Sequence, residues 1–186
     1  MVLFQEVRWH GRGGQGVVTA CQLLASAALL EDKRVQAFPE FGPERTGAPV
    51  LGFTRISDAP IDVHSQVYEP DVVVVLDSTL LKTVDVTEGL KKGGKLVVNT
   101  DLSPKELKDQ LNSEGIKIFA VNATRIALDV IGQPIFNTAM LGALIKATNL
   151  VSLESVIKVT SERFAGPVGE KNIAAIKRAF QEVTSK

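Results

Sequence analysis

The sequence predicts an α/β protein: an open, mostly parallel, doubly wound sheet of Rossmann-like type with a helical C-terminal part. Three observations predict it. Residues 72–76 read Val-Val-Val-Val-Leu, a run of consecutive apolar, mostly β-branched residues that fits a strand covered on both faces by helices. A strand-like opening runs into Gly11-x-Gly13-x-x-Gly16 and then into a helical apolar stripe, which is the order strand, glycine turn, helix. From residue 72 to 121 strand-like and helix-like segments alternate, and beyond 121 the pattern is helical.

The elements follow in order. Residues 2–9 carry Val2, Leu3, Phe4, Val7 and Trp9 with polar residues between them, a strand pattern. Ala20, Leu23, Leu24, Ala27 and Ala28 form one helical stripe within 17–30. Residues 35–38 give a short second strand. Residues 41–49 form a long shaped loop punctuated by Gly42, Pro43, Gly47 and Pro49. A weakly alternating strand is expected at 50–56, the valine strand at 72–76 ending at Asp77, a helix at 80–90 and a strand at 95–99. Ser103-Pro104-Lys105-Glu106 opens a helix with an N-cap serine, a proline at the first helical position and a glutamate at the third. A strand at 116–121 and helices at 123–131, 138–148, 153–164 and 170–184 complete the chain. No linker or repeat divides it, so residues 1–186 read as one domain.

Composition removes several function classes. Lys plus Arg is 21 and Asp plus Glu is 21, so the formal charge is zero and no basic stripe offers itself to nucleic acid or an anionic membrane. Cys21 is the single cysteine, and His10 and His64 are the two histidines. One thiol forms no internal disulfide and holds no iron–sulfur cluster, and the Cys/His set is too small for a zinc site. No apolar run spans a bilayer, and the first residues lack the layout of a signal peptide. A cytoplasmic location is expected.

Gly11, Gly13 and Gly16 have the spacing of a dinucleotide fingerprint, in which glycines permit a tight turn and the following helix N-terminus holds an anion. An extra glycine, Gly14, widens the exposed backbone, and Gln15 adds a donor. The same glycines also serve where a turn needs only tightness and close packing. The acidic residue that would bind a ribose is missing in convincing form: Glu31 and Asp32 lie in the turn after the helix, and Glu40 follows Pro39. The ligand's identity does not follow from the turn.

Five ordered blocks carry a resemblance across almost the whole chain. They are the 11–17 turn Gly-Arg-Gly-Gly-Gln-Gly-Val, the 41–50 loop, Tyr68-Glu69-Pro70-Asp71 with the valine strand, the 137–143 segment, and the 171–176 segment. Together they resemble the gamma subunits of 2-oxoacid:ferredoxin oxidoreductases, the group that includes pyruvate:ferredoxin oxidoreductase. The resemblance implies a non-catalytic subunit of a multi-subunit enzyme that converts a 2-oxoacid, coenzyme A and oxidised ferredoxin to acyl-CoA, carbon dioxide and reduced ferredoxin. It implies thiamine diphosphate, magnesium and iron–sulfur clusters on partner subunits, with ferredoxin met through the complex. This chain has no Gly-Asp-Gly thiamine signature, and no catalytic residue or metal ligand is assigned to it. The sequence does not give the oxoacid; pyruvate, the substrate of the commonest members, is expected, with 2-oxoisovalerate as the alternative.

It also implies two sites. In related single-chain enzymes the equivalent domain lies near the active centre, where coenzyme A enters. Gly11, Gly13, Gly14, Gln15 and Gly16 then form a seat for its phosphates, with no cofactor bound tightly. The loop of Glu44, Arg45, Thr46, Gly47, Ala48 and Pro49 is then a subunit interface near the thiamine site, where Arg45 could meet a carboxylate or phosphate in bidentate fashion. Two rivals share the fold: a stand-alone NAD(P)-dependent oxidoreductase, and a nucleotide-binding regulatory module without an enzyme partner. Of the remaining residues, His64 reads as surface, Cys21 as an inert helix residue, Trp9 as core and Tyr68 as a large amphipathic aromatic. His10 could touch an anion or pack, Asp77 could meet a ligand or cap the next helix, and Asn137 reads as an N-cap.

Overall fold

The computed structural model describes residues 3–40, 47–111 and 114–185. Its elements are β1 (Phe4–Arg12), α1 (Val17–Leu29), β2 (Arg34–Pro39), β3 (Pro49–Ser57), β4 (Val72–Val75), a short 3-10 helix (Ser78–Lys82), β5 (Lys95–Asn99), α2 (Pro104–Leu111), β6 (Lys117–Val121), α3 (Ala123–Val130), α4 (Asn137–Thr148), α5 (Leu153–Arg163), α6 (Gly166–Glu182) and β7 (Thr184–Ser185). The strands form one sheet in the order β2-β3-β1-β4-β5-β6-β7. β1, β4, β5 and β6 run parallel. β3 lies antiparallel between β1 and β2, and β7 lies antiparallel on β6. Five strands therefore share one direction, the mostly parallel sheet that the sequence predicts.

The valine strand behaves as its composition demands. Val72, Val73, Val74 and Val75 are buried on both faces, and their side chains divide between two apolar clusters. Each contributes roughly 1.5–3 kcal/mol of burial. The larger cluster joins α1, α3, α4, α5 and α6 to one face, and the smaller joins Leu80, Val86 and α2 to the other. α4 runs through the larger layer and is buried almost all round, from Asn137 to Ala147. The helix after Ser103 closes as predicted: Glu106 Oε2 accepts from Ser103 N at 2.8 Å, and Ser103 Oγ accepts from Glu106 N at 3.3 Å.

The 80–90 segment departs from expectation. Instead of a helix there is one 3-10 turn and then irregular chain. Asp77 caps that single turn by accepting from Thr79 N at 3.0 Å. Further on, Asp85 Oδ1 accepts from both Thr87 N and Thr87 Oγ1, a local turn that competes with helix. The carbonyls of Val86 and Glu88, which a helix would consume, accept instead from the buried guanidinium of Arg8 on β1. Tertiary hydrogen bonds thus outbid local propensity.

Three smaller differences matter less. β1 continues three residues past Trp9, because β3 pairs with it as far as Arg12↔Pro49. α6 starts at Gly166, with Pro167 in its first turn. The terminal strand β7 has no signature of its own and forms by pairing Thr184 with Ala120.

Candidate functional site

The glycine turn sits where two parallel strands end side by side. β1 leads through α1 towards β2 and β3, whereas β4 leads to β5 on the other side. The ends of β1 and β4 therefore flank the point where the chain switches direction, the usual crevice for ligands in open α/β sheets. Arg12, Gln15 and Asp77 meet there. Asp77 Oδ2 accepts from Arg12 Nε at 3.1 Å and from Gln15 Nε2 at 2.8 Å. Its Oδ1 accepts from Thr79 N and Thr79 Oγ1. Arg12 Nη2 reaches Thr79 Oγ1 at 2.8 Å, and Arg12 N donates to Gln15 Oε1 at 2.8 Å. Partial burial works against the charge of Asp77, but the hydrogen bonds from Thr79 and Gln15 and the nearby Arg12 outweigh it, and its pKa lies below the ordinary carboxylate value. Asp77 thus plays both parts open to it, capping the turn that follows and bracing the glycine turn. Gln15 spends both ends of its amide inside this network, so the donor expected for a phosphate goes to Asp77 instead.

The glycines divide by role. A Cβ on Gly11 would stand 2.5 Å from Val17 Cγ2, and one on Gly16 would stand 2.5 Å from Asn137 Nδ2. These two serve close packing. Gly14 has φ +93° and open space around it, so it supplies a left-handed turn and leaves main chain exposed. Gly13 is tied on both sides: its N–H donates to Ala48 O at 2.8 Å, and its carbonyl accepts from Gly47 N at 3.1 Å. Arg12 Nη1 also donates to Gly47 O.

The two segments nominated separately in the sequence are therefore one construction. Gly47, Ala48 and Pro49 continue the β1–β3 pairing onto the glycine turn. Glu44, Arg45 and Thr46 lie outside the described residues. A cleft of about 270 Å³ opens beside the turn, lined by Arg12, Gly13, Gly14, Gly16, Val17 and Val18 with Val50 and Leu51 behind. α1 starts at this cleft with Gly16 as its N-cap, and among the described residues no side chain caps its first N–H groups, so these donors and the positive end of the helix face the same place. On the other side of Gln15 lies a polar cavity of about 340 Å³, lined by Asp77, Asn99, Thr100, Asp101, Asn122 and Thr124. Its carboxylates make it the wrong lining for a phosphate.

The other candidates fall as follows. His10 is buried on β1 and its Nε2 accepts from Arg8 Nε at 3.0 Å. Burial, helped by the Arg8 charge, pushes its pKa down to about 3, so it stays neutral and lends no charge to an anion. Trp9 is core, with Nε1 donating to Thr54 Oγ1. Cys21 is buried and its thiol is pushed up to about 12 by burial, which makes it inert. His64 and Tyr68 are exposed. Asn137 is not an N-cap. Phe136 holds that position, and Asn137 is the first residue of α4, donating to Gly16 O at 3.3 Å with its Oδ1 buried and unpartnered.

Sequence reasoning missed a row of polar groups on one face of β1 and β3: half-buried Glu6 with the buried Arg8 and Arg55. Arg55 Nε donates to Glu6 Oε1 at 2.9 Å, and its other nitrogens donate to the carbonyls of Val63 and Gln66. The alternation Glu6, Arg8, His10 signals a polar strand face at period two. What it could not reveal is that irregular chain, rather than solvent, covers that face.

The position of β3 also bears on NAD. In a dinucleotide fold the second strand lies next to the first, so its terminal acid reaches the ribose. Here β3 separates β2 from β1, which removes Glu40 from the turn by two strand spacings, about 10 Å. Glu40 instead accepts from Gln66 Nε2. Among the described residues, no group of three or more His, Cys, Asp or Glu side chains could hold a metal ion, and no helix is long and apolar enough to cross a membrane. The single buried thiol is one ligand where an iron–sulfur cluster takes several.

Comparison with known proteins agrees over the full length. Residues 6–182 match the family described as pyruvate ferredoxin/flavodoxin oxidoreductase. The pyruvate/ketoisovalerate oxidoreductases common subunit gamma of Thermococcus kodakarensis is 58% identical over 177 residues, covering 95% of this chain and 96% of that protein. The pyruvate synthase subunit PorC of Methanocaldococcus jannaschii is 53% identical over 181 residues, covering 97% and 98%. Among solved structures, the pyruvate oxidoreductase subunit PORC of Thermotoga maritima superimposes with a TM-score of 0.88 at 44% identity, covering 98% of each chain. The 2-oxoglutarate:ferredoxin oxidoreductase of Magnetococcus marinus matches in fold, with a TM-score of 0.79 at 20% identity, over 96% of this chain and 30% of its own.

Proposed function

The chain belongs to the pyruvate ferredoxin/flavodoxin oxidoreductase family, and from that premise we propose that it is the gamma subunit of a multi-subunit 2-oxoacid:ferredoxin oxidoreductase of the pyruvate synthase kind. The observation that carries this is end-to-end identity above half with subunits of that name. The chain contributes to a reaction whose cofactors sit on other subunits, works in the cytoplasm and is inactive alone. Pyruvate is the substrate we favour. The relatives that serve both pyruvate and ketoisovalerate oxidoreductases keep 2-oxoisovalerate as the alternative. A gamma subunit common to two such enzymes does not itself select the oxoacid, and selection belongs to the partners.

Within that role the chain offers coenzyme A a phosphate seat at the glycine turn. The support is the cleft itself: exposed main chain at Gly14, uncapped N–H groups at the start of α1, and Arg12 held in place by Asp77. Gln15 acts as a brace of this seat rather than a contact. The segment from Glu44 to Pro49 is the second proposed contact, an interface towards the thiamine-bearing subunit, with Gly47–Pro49 fastening it to the turn.

Two measurements test the reading. The chain, purified gently and without oxygen from its native cell, brings down iron–sulfur and thiamine-binding partners, and the eluate reduces a viologen dye in an oxoacid- and coenzyme A-dependent way. A chain that comes down alone refutes the subunit role. Gly14→Asp sets a carboxylate in the cleft, and Gly14→Asn carries the same backbone cost at φ +93° without the charge; the Asp variant raises the KM for coenzyme A about tenfold or more over the Asn variant while kcat changes little. An unchanged KM removes the phosphate seat and leaves the subunit role standing.

A further inference from the structure

Asn137 is aimed at the start of α1 from the first residue of α4, and it is 5% exposed. Its Nδ2 donates to Gly16 O at 3.3 Å, and its Oδ1 is buried without a partner among the described residues. The reverse amide orientation is worse, since it sets an oxygen against the Gly16 oxygen. A buried unpaired acceptor costs stability, and a small apolar residue at 137 would avoid that cost. What asparagine adds is one donor directed at one carbonyl. Gly16 makes room for it, because a Cβ there would stand 2.5 Å from Nδ2.

That carbonyl belongs to the first peptide unit of α1. Gly16 O and the N–H of Val17 are opposite ends of one planar trans peptide, so the direction of one fixes the direction of the other. Gly16 O also accepts from Ala20 N at 3.0 Å, but that bond lies within α1 and turns with it. Asn137 reaches the same oxygen from outside the helix. Gly16, at φ +77°, has no side chain to restrict its rotation, so the unit depends on what holds it. Among the described residues the N–H groups of Val17, Val18 and Thr19 have no acceptor. Gly16, Val17 and Val18 line the cleft beside the turn.

The start of α4 is held in its turn. Thr138 Oγ1 donates to Asn172 Oδ1 at 2.8 Å, and Asn172 Nδ2 donates to Val168 O at 2.8 Å, in the first turn of α6. Thr138 and Asn172 are buried as well. Asn137, Thr138 and Asn172 thus carry a fixed reference from α6 through α4 to the first peptide of α1.

We infer that Asn137 is a positioning residue of the phosphate seat: it holds the Gly16–Val17 peptide so that the Val17 N–H points at an oxygen of a diphosphate ester in the cleft. It acts through Gly16 and is not part of the cleft lining. The inference rests on the coenzyme A seat proposed above and deepens it.

Steady-state kinetics of the assembled enzyme test it. Asn137→Ala removes the donor together with the unpaired oxygen. It raises the KM for coenzyme A about fivefold and leaves kcat and the KM for the oxoacid unchanged. Asn137→Asp keeps the shape, exchanges the donor for an acceptor and raises the KM at least as far. Val156→Ala, on the buried face of α5, is the control for lost packing: it lowers Tm and leaves the KM for coenzyme A unchanged. The full chain alone gives a second readout. Inorganic pyrophosphate shifts the Val17 and Val18 amide signals of wild type, and in Asn137→Ala the same shift takes about fivefold more pyrophosphate, while the other amide signals remain those of a folded chain. Wild-type KM in both Asn137 variants, with Gly14→Asp still raising it over Gly14→Asn, would overturn the inference and leave the seat standing. A KM that rises as much in Val156→Ala would overturn it by making the effect one of stability. Equal KM in all these variants, Gly14→Asp included, would remove the seat and the inference with it.

Discussion

Replacing Gly16 with alanine tests whether the last glycine of the turn serves packing or ligand approach. The added Cβ would stand 2.5 Å from Asn137 Nδ2 and 2.9 Å from its Cγ, at φ +77°. The left-handed backbone costs an alanine about 1 kcal/mol. Asn137 cannot swing clear, because it is buried at the start of α4, so overpacking adds about 1–3 kcal/mol. Displacing the bond from Asn137 Nδ2 to Gly16 O adds up to about 1 kcal/mol. The sum is about 3 kcal/mol, or roughly 10 °C in Tm for a chain of this size. Unfolding of the isolated chain in urea, followed by the fluorescence of the single buried Trp9, measures it. The decisive comparison is with Asn137→Ala, which removes the two nearest atoms and the unpartnered Oδ1 and leaves only the Cβ, 3.2 Å away. In that background Gly16→Ala retains the backbone cost of about 1 kcal/mol and a residual crowding that a small shift of the neighbour relieves, so the two substitutions couple by about 1–2 kcal/mol. Additivity within about 0.5 kcal/mol would refute the packing argument and return Gly16 to the list of ligand contacts.

Two other outcomes are expected. His10 has a folded pKa of about 3 against an ordinary 6.5, so the unfolded chain binds a proton that the fold refuses; its contribution to stability is complete above pH 6.5 and is lost as pH falls towards 3, by about 1.4 kcal/mol per unit. Between pH 7 and pH 5 wild type therefore loses about 2 kcal/mol more than His10→Gln in urea titrations, and equal losses would contradict the buried neutral histidine. Cys21, buried and with its thiol near 12, reacts with an aromatic disulfide reagent only as fast as the chain unfolds, and labelling of the native chain within seconds would show that the first helix is open.

How much could be read in advance depended on the range of the forces involved. The capping box at Ser103 and Glu106 is complete within four residues, and it formed as the sequence states it. Val72 to Val75 announce their burial by composition alone. The 80–90 segment has helix-like apolar spacing, yet Arg8, some eighty residues away in sequence, claims the carbonyls of Val86 and Glu88. No local pattern carries that information. Strand order is hidden for the same reason. β2 and β3 each look like strands, but their antiparallel pairing places β3 beside β1 and so undoes the dinucleotide reading that the glycine spacing invites.

The candidate site follows the same rule at smaller scale. The spacing of Gly11, Gly13 and Gly16 is legible, but a glycine looks alike whether it admits a phosphate, permits a left-handed turn or makes room for a neighbour. Only tertiary contacts separate Gly14, with nothing near it, from Gly16, pressed against a helix that begins 121 residues later. Gln15 likewise reads as a free donor until Asp77 is brought across the switch point to accept from it. That placement has a consequence for the proposed seat. Asp77, ionised and paired with Arg12, occupies the crevice between β1 and β4 with a carboxylate whose oxygens are already taken by Arg12, Gln15 and Thr79. The seat proposed for a phosphate therefore lies on the α1 side of the turn, where the Gly14 main chain and the start of the helix face one cleft. On that proposal the carboxylate that looks like a competitor for the phosphate sets the side from which a phosphate approaches.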